Sequence, residues 1–79
     1  MQENEEFIRK TEERALQIGR LLQLISMDTN AIQRHILHNS PKSIIEQYVE
    51  LRNEHLDELQ ELMRLEGLSI QLTPLDNVA

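Results

Sequence analysis

Histidine is the residue of this sequence best suited to metal binding or proton transfer, and it occurs at His35, His38 and His55. A di-metal site in a helical bundle needs a glutamate three residues before the ligating histidine, so that both side chains share one face. At that distance the sequence has Ile32, His35 and Arg52 instead. The spacing of His35 and His38, with no carboxylate beside them, favours a surface or capping role over metal chelation.

Other arrangements that carry catalysis or bind cofactors are also missing from the sequence. There is no Ser/His/Asp set, and two glycines are too few to form a phosphate-binding loop. The chain has no cysteine, which excludes disulfides and thiolate–metal sites. We therefore expect a protein that is not an enzyme, with no catalytic, cofactor-binding or metal-binding residues.

Three polar residues fall where the pattern predicts a core. His55 lies within the apolar arc of the second predicted helix, and Arg52 lies in the same arc. Antiparallel pairing would place Arg52 opposite Asp28 and Thr29, where a charge-assisted hydrogen bond would fix the register. We interpret Asp28, Arg52 and His55 as a polar core. A proton-sensitive contact at His55 is the alternative, because charging a buried imidazole would oppose association.

The elements that must position these residues are two long helices. Apolar or small residues recur at alternating steps of three and four through the first half of the chain, which is typical of a helix that packs along a seam. This seam comprises Ile8, Thr11, Ala15, Ile18, Leu22, Ile25, Thr29, Ile32 and Ile36. The pattern predicts one all-α domain over residues 1–79, with helices at about 5–38 and about 41–66.

The connection between the helices has the strongest local signals. Asn39 tolerates the left-handed conformation that follows many helices, Ser40 is a good N-cap, and Pro41 suits the first position of the next helix. Gly67 should end the second helix, with Leu68 folding back in a Schellman motif. A turn at 39–40 makes the helices antiparallel neighbours, and we predict a short extended C-terminal tail over 67–79.

The apolar arcs of both helices are wider than one partner helix can cover. A chain of 79 residues without disulfides or metals has few other means of burying them. We therefore predict a homodimer, or a higher oligomer, in which two hairpins form a four-helix bundle. The predicted oligomer interface consists of Ile18, Leu21, Leu22, Leu24, Ile25, Ile32, Tyr48, Leu56, Leu59 and Met63.

A second surface is a candidate for binding another protein. Arginines and large apolar residues line the side of the first helix away from the seam, a composition enriched at interfaces. We add to it the two apolar residues near the start of this helix. The candidate partner surface then consists of Phe7, Ile8, Arg9, Leu16, Arg20, Met27 and Arg34. An acidic protein is the expected partner class.

The charge balance argues against nucleic acid as the main partner. The chain has 14 acidic and 8 basic residues, with a net charge of −6, so it should repel phosphate backbones. Two alternatives stay open: a nucleic-acid-associated regulator that uses Arg9, Arg20 and Arg34, and an acidic DNA mimic that binds basic proteins. The acidic N-terminus and the absence of a long apolar run predict a cytoplasmic protein with no membrane partner.

Overall fold

The computed structural model describes residues 2–71, with side chains described from Asn4 onward. Helix α1 (Gln2–Leu37) and helix α2 (Lys42–Leu65) pack against each other as an all-α hairpin. No strand forms within residues 2–71, and residues 72–79 of the tail lie outside the described part. The hairpin is a rod with extents of 57 × 18 × 15 Å.

Helix α1 ends in a Schellman motif centred on Asn39. The Ser40 N–H donates to the His35 carbonyl at 2.9 Å, and the Asn39 N–H donates to the Ile36 carbonyl at 3.1 Å. Asn39 has φ +55°, the left-handed conformation that asparagine tolerates better than most residues. The motif satisfies carbonyl groups that would otherwise lack partners at the end of the helix.

The start of α2 differs from the prediction by one residue. Pro41 has φ −54° and ψ 143°, which makes it the N-cap, and the first helical residue is Lys42. Ser40 therefore does not cap α2. Its backbone already belongs to the Schellman motif of α1, and its hydroxyl lies 2.8 Å from His35 Nδ1.

Helix α2 ends at Leu65, and Gly67 terminates it in the left-handed conformation that the sequence indicates. Gly67 has φ +75°, its N–H donates to the Arg64 carbonyl at 2.9 Å, and the Leu68 N–H donates to the Met63 carbonyl at 2.9 Å. This is a second Schellman motif. Beyond it the chain has no regular structure as far as residue 71.

The row of α1 residues buried by α2 agrees with the predicted seam at every second position. Ile25 and Ile32 face α2, and Ile32 is only 1% exposed. The intervening positions differ: Leu21 and Asp28 are each 6% exposed, whereas Leu22 is 52% exposed. The face that contacts α2 is thus rotated toward Leu21 and Asp28. Leu22 does not pack into the core between the helices, as the seam implied that it would.

The cause of this rotation is a set of polar contacts that periodicity alone does not reveal. Arg14, Asp28 and His35 occupy the row that includes Leu21; Asp28 and His35 contact side chains of α2, and Arg14 contacts the residue that follows α2. Their partners are Glu66, His55 and Tyr48, respectively. A polar side chain with a partner can be buried at little cost, so these residues displace the apolar row that the sequence favoured.

Helix α1 extends well past the end of α2. At this end of the hairpin Arg14 Nη1 forms an ion pair, at 2.9 Å, with Oε1 of Glu66, the residue that follows α2. Residues 4–13 of α1, which we call the overhang, therefore lack α2 beside them. Phe7 and Ile8 in the overhang are 69% and 54% exposed. Neither described helix has the length and apolar character needed to cross a membrane.

Candidate interaction surface

Asp28 and His55 form the most deeply buried polar contact between the helices. Asp28 Oδ2 and His55 Nδ1 are 2.6 Å apart, and their side chains are 8% and 16% exposed. An imidazolium at this position would be paired with a carboxylate. Asp28 thus supplies the hydrogen-bond partner that a buried His55 ring requires, and the proton-sensitive alternative stays a prediction.

Arg52 takes part in a separate relay one turn away. Its Nε donates to Thr29 Oγ1 at 2.9 Å, and the Thr29 hydroxyl donates to the Ile25 carbonyl at 2.8 Å. The sequence placed Arg52 opposite Asp28 and Thr29, and the structure brings all three polar-core residues between the helices. Arg52 donates a hydrogen bond to the Thr29 hydroxyl, whereas His55 contacts the Asp28 carboxylate. No buried side-chain nitrogen or oxygen among the described residues lacks a hydrogen-bond partner.

His35 has structural contacts on two sides. Its ring stacks on Tyr48 with centroids 5.1 Å apart, and its Nδ1 lies 2.8 Å from the Ser40 hydroxyl. His38 is exposed. Within residues 2–71, no three His, Cys, Asp or Glu side chains are grouped closely enough to hold a metal ion.

One side of the hairpin keeps a row of apolar side chains that packing between the two helices leaves partly exposed. Leu22 directly follows buried Leu21, and Leu56 directly follows His55; in an antiparallel pair such positions lie on the same side. Leu22 is half exposed, and its neighbours are half-buried. We call this surface the open face; its apolar residues are Ile18, Leu22, Ile25 and Ile36 of α1 with Val49, Leu56 and Met63 of α2.

The ten residues predicted for the oligomer interface are thus distributed over three environments. Leu21, Ile32 and Leu59 are buried within a single hairpin. Tyr48 stacks on His35 within the same hairpin, and Leu24 lies on the side opposite the open face. The remaining five belong to the open face, which also includes Ile36 and Val49. Neither of those two belongs to the predicted interface, although the period of the seam contains Ile36.

A groove runs between the helices on the side opposite the open face. It has a volume of about 400 Å³ and an apolar floor formed by Leu21, Leu24 and Leu62. Arg20 stands on the α1 rim, and Glu61 stands on the α2 rim. Arg64 donates two hydrogen bonds to Glu61, at 3.0 and 2.6 Å, and these lower the pKa of Glu61 from its ordinary value.

The predicted partner surface lies exposed along α1. Leu16 and Met27 are 75% and 60% exposed, and Arg9, Arg20 and Arg34 are exposed too. The ion pairs formed among residues 4–71 do not include these three arginines. A positively charged strip with two large apolar side chains therefore faces outward.

The outward side of α2 has the opposite charge. Its carboxylates repeat along the helix at Glu46, Glu50, Glu54, Asp57 and Glu61, and all five are exposed. No large apolar side chain interrupts them in the helical projection. Residues 16–37 of α1 have the exposed Arg20 and Arg34 and no exposed carboxylate, so the outer surface there is opposite in charge to that of α2.

Comparison of the chain with protein-family models, with curated proteins and with solved structures finds no match.

Proposed function

We propose that this chain is a non-enzymatic, homodimeric helical module that binds another protein, acting as a small regulator, adaptor or inhibitor. The observation that carries the proposal is the open face, where Leu22 remains 52% exposed among half-buried apolar neighbours. Water contact with such a surface is unfavourable by about 25 cal/mol per Å² of apolar area. A second hairpin provides a surface of the same shape and chemistry.

The size of the open face supports a stable dimer. Positions 8 to 36 of α1 span about 42 Å at 1.5 Å per residue, and the hairpin is 18 Å wide. Their product is about 750 Å², close to the roughly 800 Å² that each partner buries in a standard interface. Pairing two such faces gives the four-helix bundle.

The surface left for another protein is the strip of α1 that includes Leu16, Arg20, Met27 and Arg34. It lies away from the open face, so it stays accessible after two hairpins associate. Exposed apolar side chains beside arginines that form no ion pair among residues 4–71 can exchange water for a partner's carboxylates and apolar groups. We therefore propose an acidic protein surface as the partner class.

A matched pair of substitutions tests the dimer. Leu22→Gln places an amide in the open face of both copies and should weaken dimerisation at least about tenfold, since a buried leucine contributes about 1.5–3 kcal/mol. Met27→Gln makes a similar change on the outer side of α1 and should leave the dimer unchanged. Sedimentation velocity across a dilution series measures both. Equal effects of the two substitutions would place the interface elsewhere.

A second candidate function is nucleic-acid binding through Arg9, Arg20 and Arg34, which is favoured by their exposure along one helix. The net charge of −6 opposes it. Titration with duplex DNA and RNA at low salt decides, because even weak phosphate binding is detectable there. We expect no binding; saturable binding that is lost on Arg20→Gln would establish this candidate instead.

The carboxylates of α2 support a third role, in which an acidic rod imitates DNA toward basic proteins.

A further inference from the structure

We propose that the two hairpins of the dimer run antiparallel about a two-fold axis near Leu22, so that the overhang of each copy covers the turn of the other. This inference rests on the proposed dimer and specifies its interface. In this arrangement α1 lies on α1 of the second copy, and α2 lies on α2. The overhang, which α2 cannot reach, then acquires a neighbour.

The first argument is the symmetry of the exposed row on α1. Ile8, Ala15, Leu22, Thr29 and Ile36 follow one another at intervals of seven residues on the side of the open face. Leu22 is the midpoint of this row. A two-fold axis at Leu22 therefore places Ile8 against Ile36 of the second copy, Ala15 against Thr29, and Leu22 against its own equivalent.

The same axis pairs apolar side chains of the two α2 helices with each other. The register within the hairpin places Leu22 level with about Leu59, so the axis passes α2 near that residue. Leu56 and Met63 lie on either side of Leu59 at nearly equal distances along the helix. Leu56 of one copy therefore faces Met63 of the second copy. Both of these half-buried side chains become covered on the α2 helix of each copy.

Charge supplies an independent argument for the antiparallel arrangement. The overhang contains Glu5, Glu6, Glu12 and Glu13 against two basic residues, whereas residues 34–42, around the turn, contain Arg34, His38 and Lys42 and no carboxylate. Antiparallel packing places the acidic overhang over the basic turn. Parallel packing would bring two acidic overhangs to one end of the rod, where like charges repel within a screening length of about 8–10 Å.

Small residues beside the axis permit close contact between the two α1 helices. A Cβ built on Gly19 meets no atom within 4 Å in the single hairpin, so the space outside Gly19 is open. Ala15 and Ser26 lie near it on the same side of α1. Leu22 of the second copy can enter the space that these short side chains leave.

Cysteine cross-linking tests the arrangement directly, because the natural chain has no cysteine. In the variant Ile8→Cys/Ile36→Cys the two thiols of one chain are about 42 Å apart, so a disulfide between them must join two copies. We expect mild oxidation to give a covalent dimer whose linked peptides join position 8 to position 36. Single Leu22→Cys should also form a covalent dimer, and single Leu16→Cys, on the outer side, should not.

The outcomes separate this inference from the proposed function. A dimer by sedimentation that forms no link between positions 8 and 36 would overturn the antiparallel arrangement while the dimer stands. Linking at Leu16→Cys as efficient as at Leu22→Cys would overturn it as well. A chain that sediments as a folded monomer under reducing conditions would overturn the dimer, and the inference with it.

Discussion

Asp28 and His55 decide the register of the hairpin at the scale of single residues. Their contact at 2.6 Å joins two side chains that are almost completely buried, and Arg52 adds a hydrogen bond to Thr29 one turn away. A shift of α2 by one turn would separate Asp28 from His55 and Thr29 from Arg52. These polar contacts thus select one alignment from the several that apolar packing allows.

Removing the carboxylate should therefore destabilise the hairpin. Asp28→Ala leaves the His55 ring buried without its partner, and we expect a loss of about 1–3 kcal/mol in the free energy of unfolding. Asp57→Ala is the matched control, because Asp57 is an aspartate exposed on the outward side of α2. Its substitution should change the free energy of unfolding by no more than about 0.5 kcal/mol. Urea unfolding followed by circular dichroism measures both. If the two substitutions cost the same, the buried pair contributes nothing to stability.

The sequence was sufficient to bring the three polar-core residues together but not to pair them. Antiparallel register predicts that Arg52 lies opposite Asp28 and Thr29, and the apolar arc of the second helix places His55 in the core, but neither predicts that His55 pairs with Asp28. The choice of partner depends on side-chain conformation: Arg52 donates to a hydroxyl and His55 contacts the carboxylate. The spacing of residues carries no information about which rotamers satisfy every group at once.

At the scale of elements, both helices end by the same device. Asn39 and Gly67 have positive φ values, and each is followed by a residue whose N–H closes a Schellman motif. These ends are predictable because few residue types tolerate the left-handed conformation. The start of α2 was harder to predict, since Ser40 serves the end of α1 instead of capping the next helix.

The two glycines should respond in opposite ways to substitution by alanine. Gly67→Ala forces a Cβ into a left-handed conformation and should cost about 1–2 kcal/mol in the free energy of unfolding, even though the space around it is open. Gly19→Ala lies within a helix and meets no neighbour in the hairpin, so it should stabilise the hairpin by about 0.5–1 kcal/mol.

Thermal unfolding of both glycine variants in a Leu22→Gln background, at a chain concentration that keeps the weakened dimer formed, reduces the share of the contact between copies in the measured stability. In the wild-type background, the added methyl group of Gly19→Ala should instead weaken dimerisation, since Gly19 lies beside the proposed axis. A stabilised hairpin with an unchanged dimer would show that Gly19 is remote from the interface.

The seam illustrates why periodicity predicts helices more reliably than it predicts contacts. An apolar arc that exceeds the width of one partner contains two adjacent rows, and the sequence does not indicate which row the partner covers. Here α2 covers Leu21 and Asp28, and the row of Leu22 remains for another surface. The misplaced half of the seam is therefore the half that points to self-association.

At the scale of the whole molecule, the hairpin is a thin rod with little interior. Only four apolar residues of the described chain are buried: Leu21, Ala31, Ile32 and Leu59. Such a core is small for an independently stable protein. A second copy would add a contiguous interior along the open face, which is why dimerisation is central to this account.

Sedimentation equilibrium of the wild-type chain tests that claim most directly. Across loading concentrations from nanomolar to micromolar, we expect the apparent mass to rise from the 9.3 kDa of one chain to about twice that value. Circular dichroism on the same samples should show that helix content is lost as the dimer dissociates. A chain that remains at 9.3 kDa and fully helical at micromolar concentration would contradict the account.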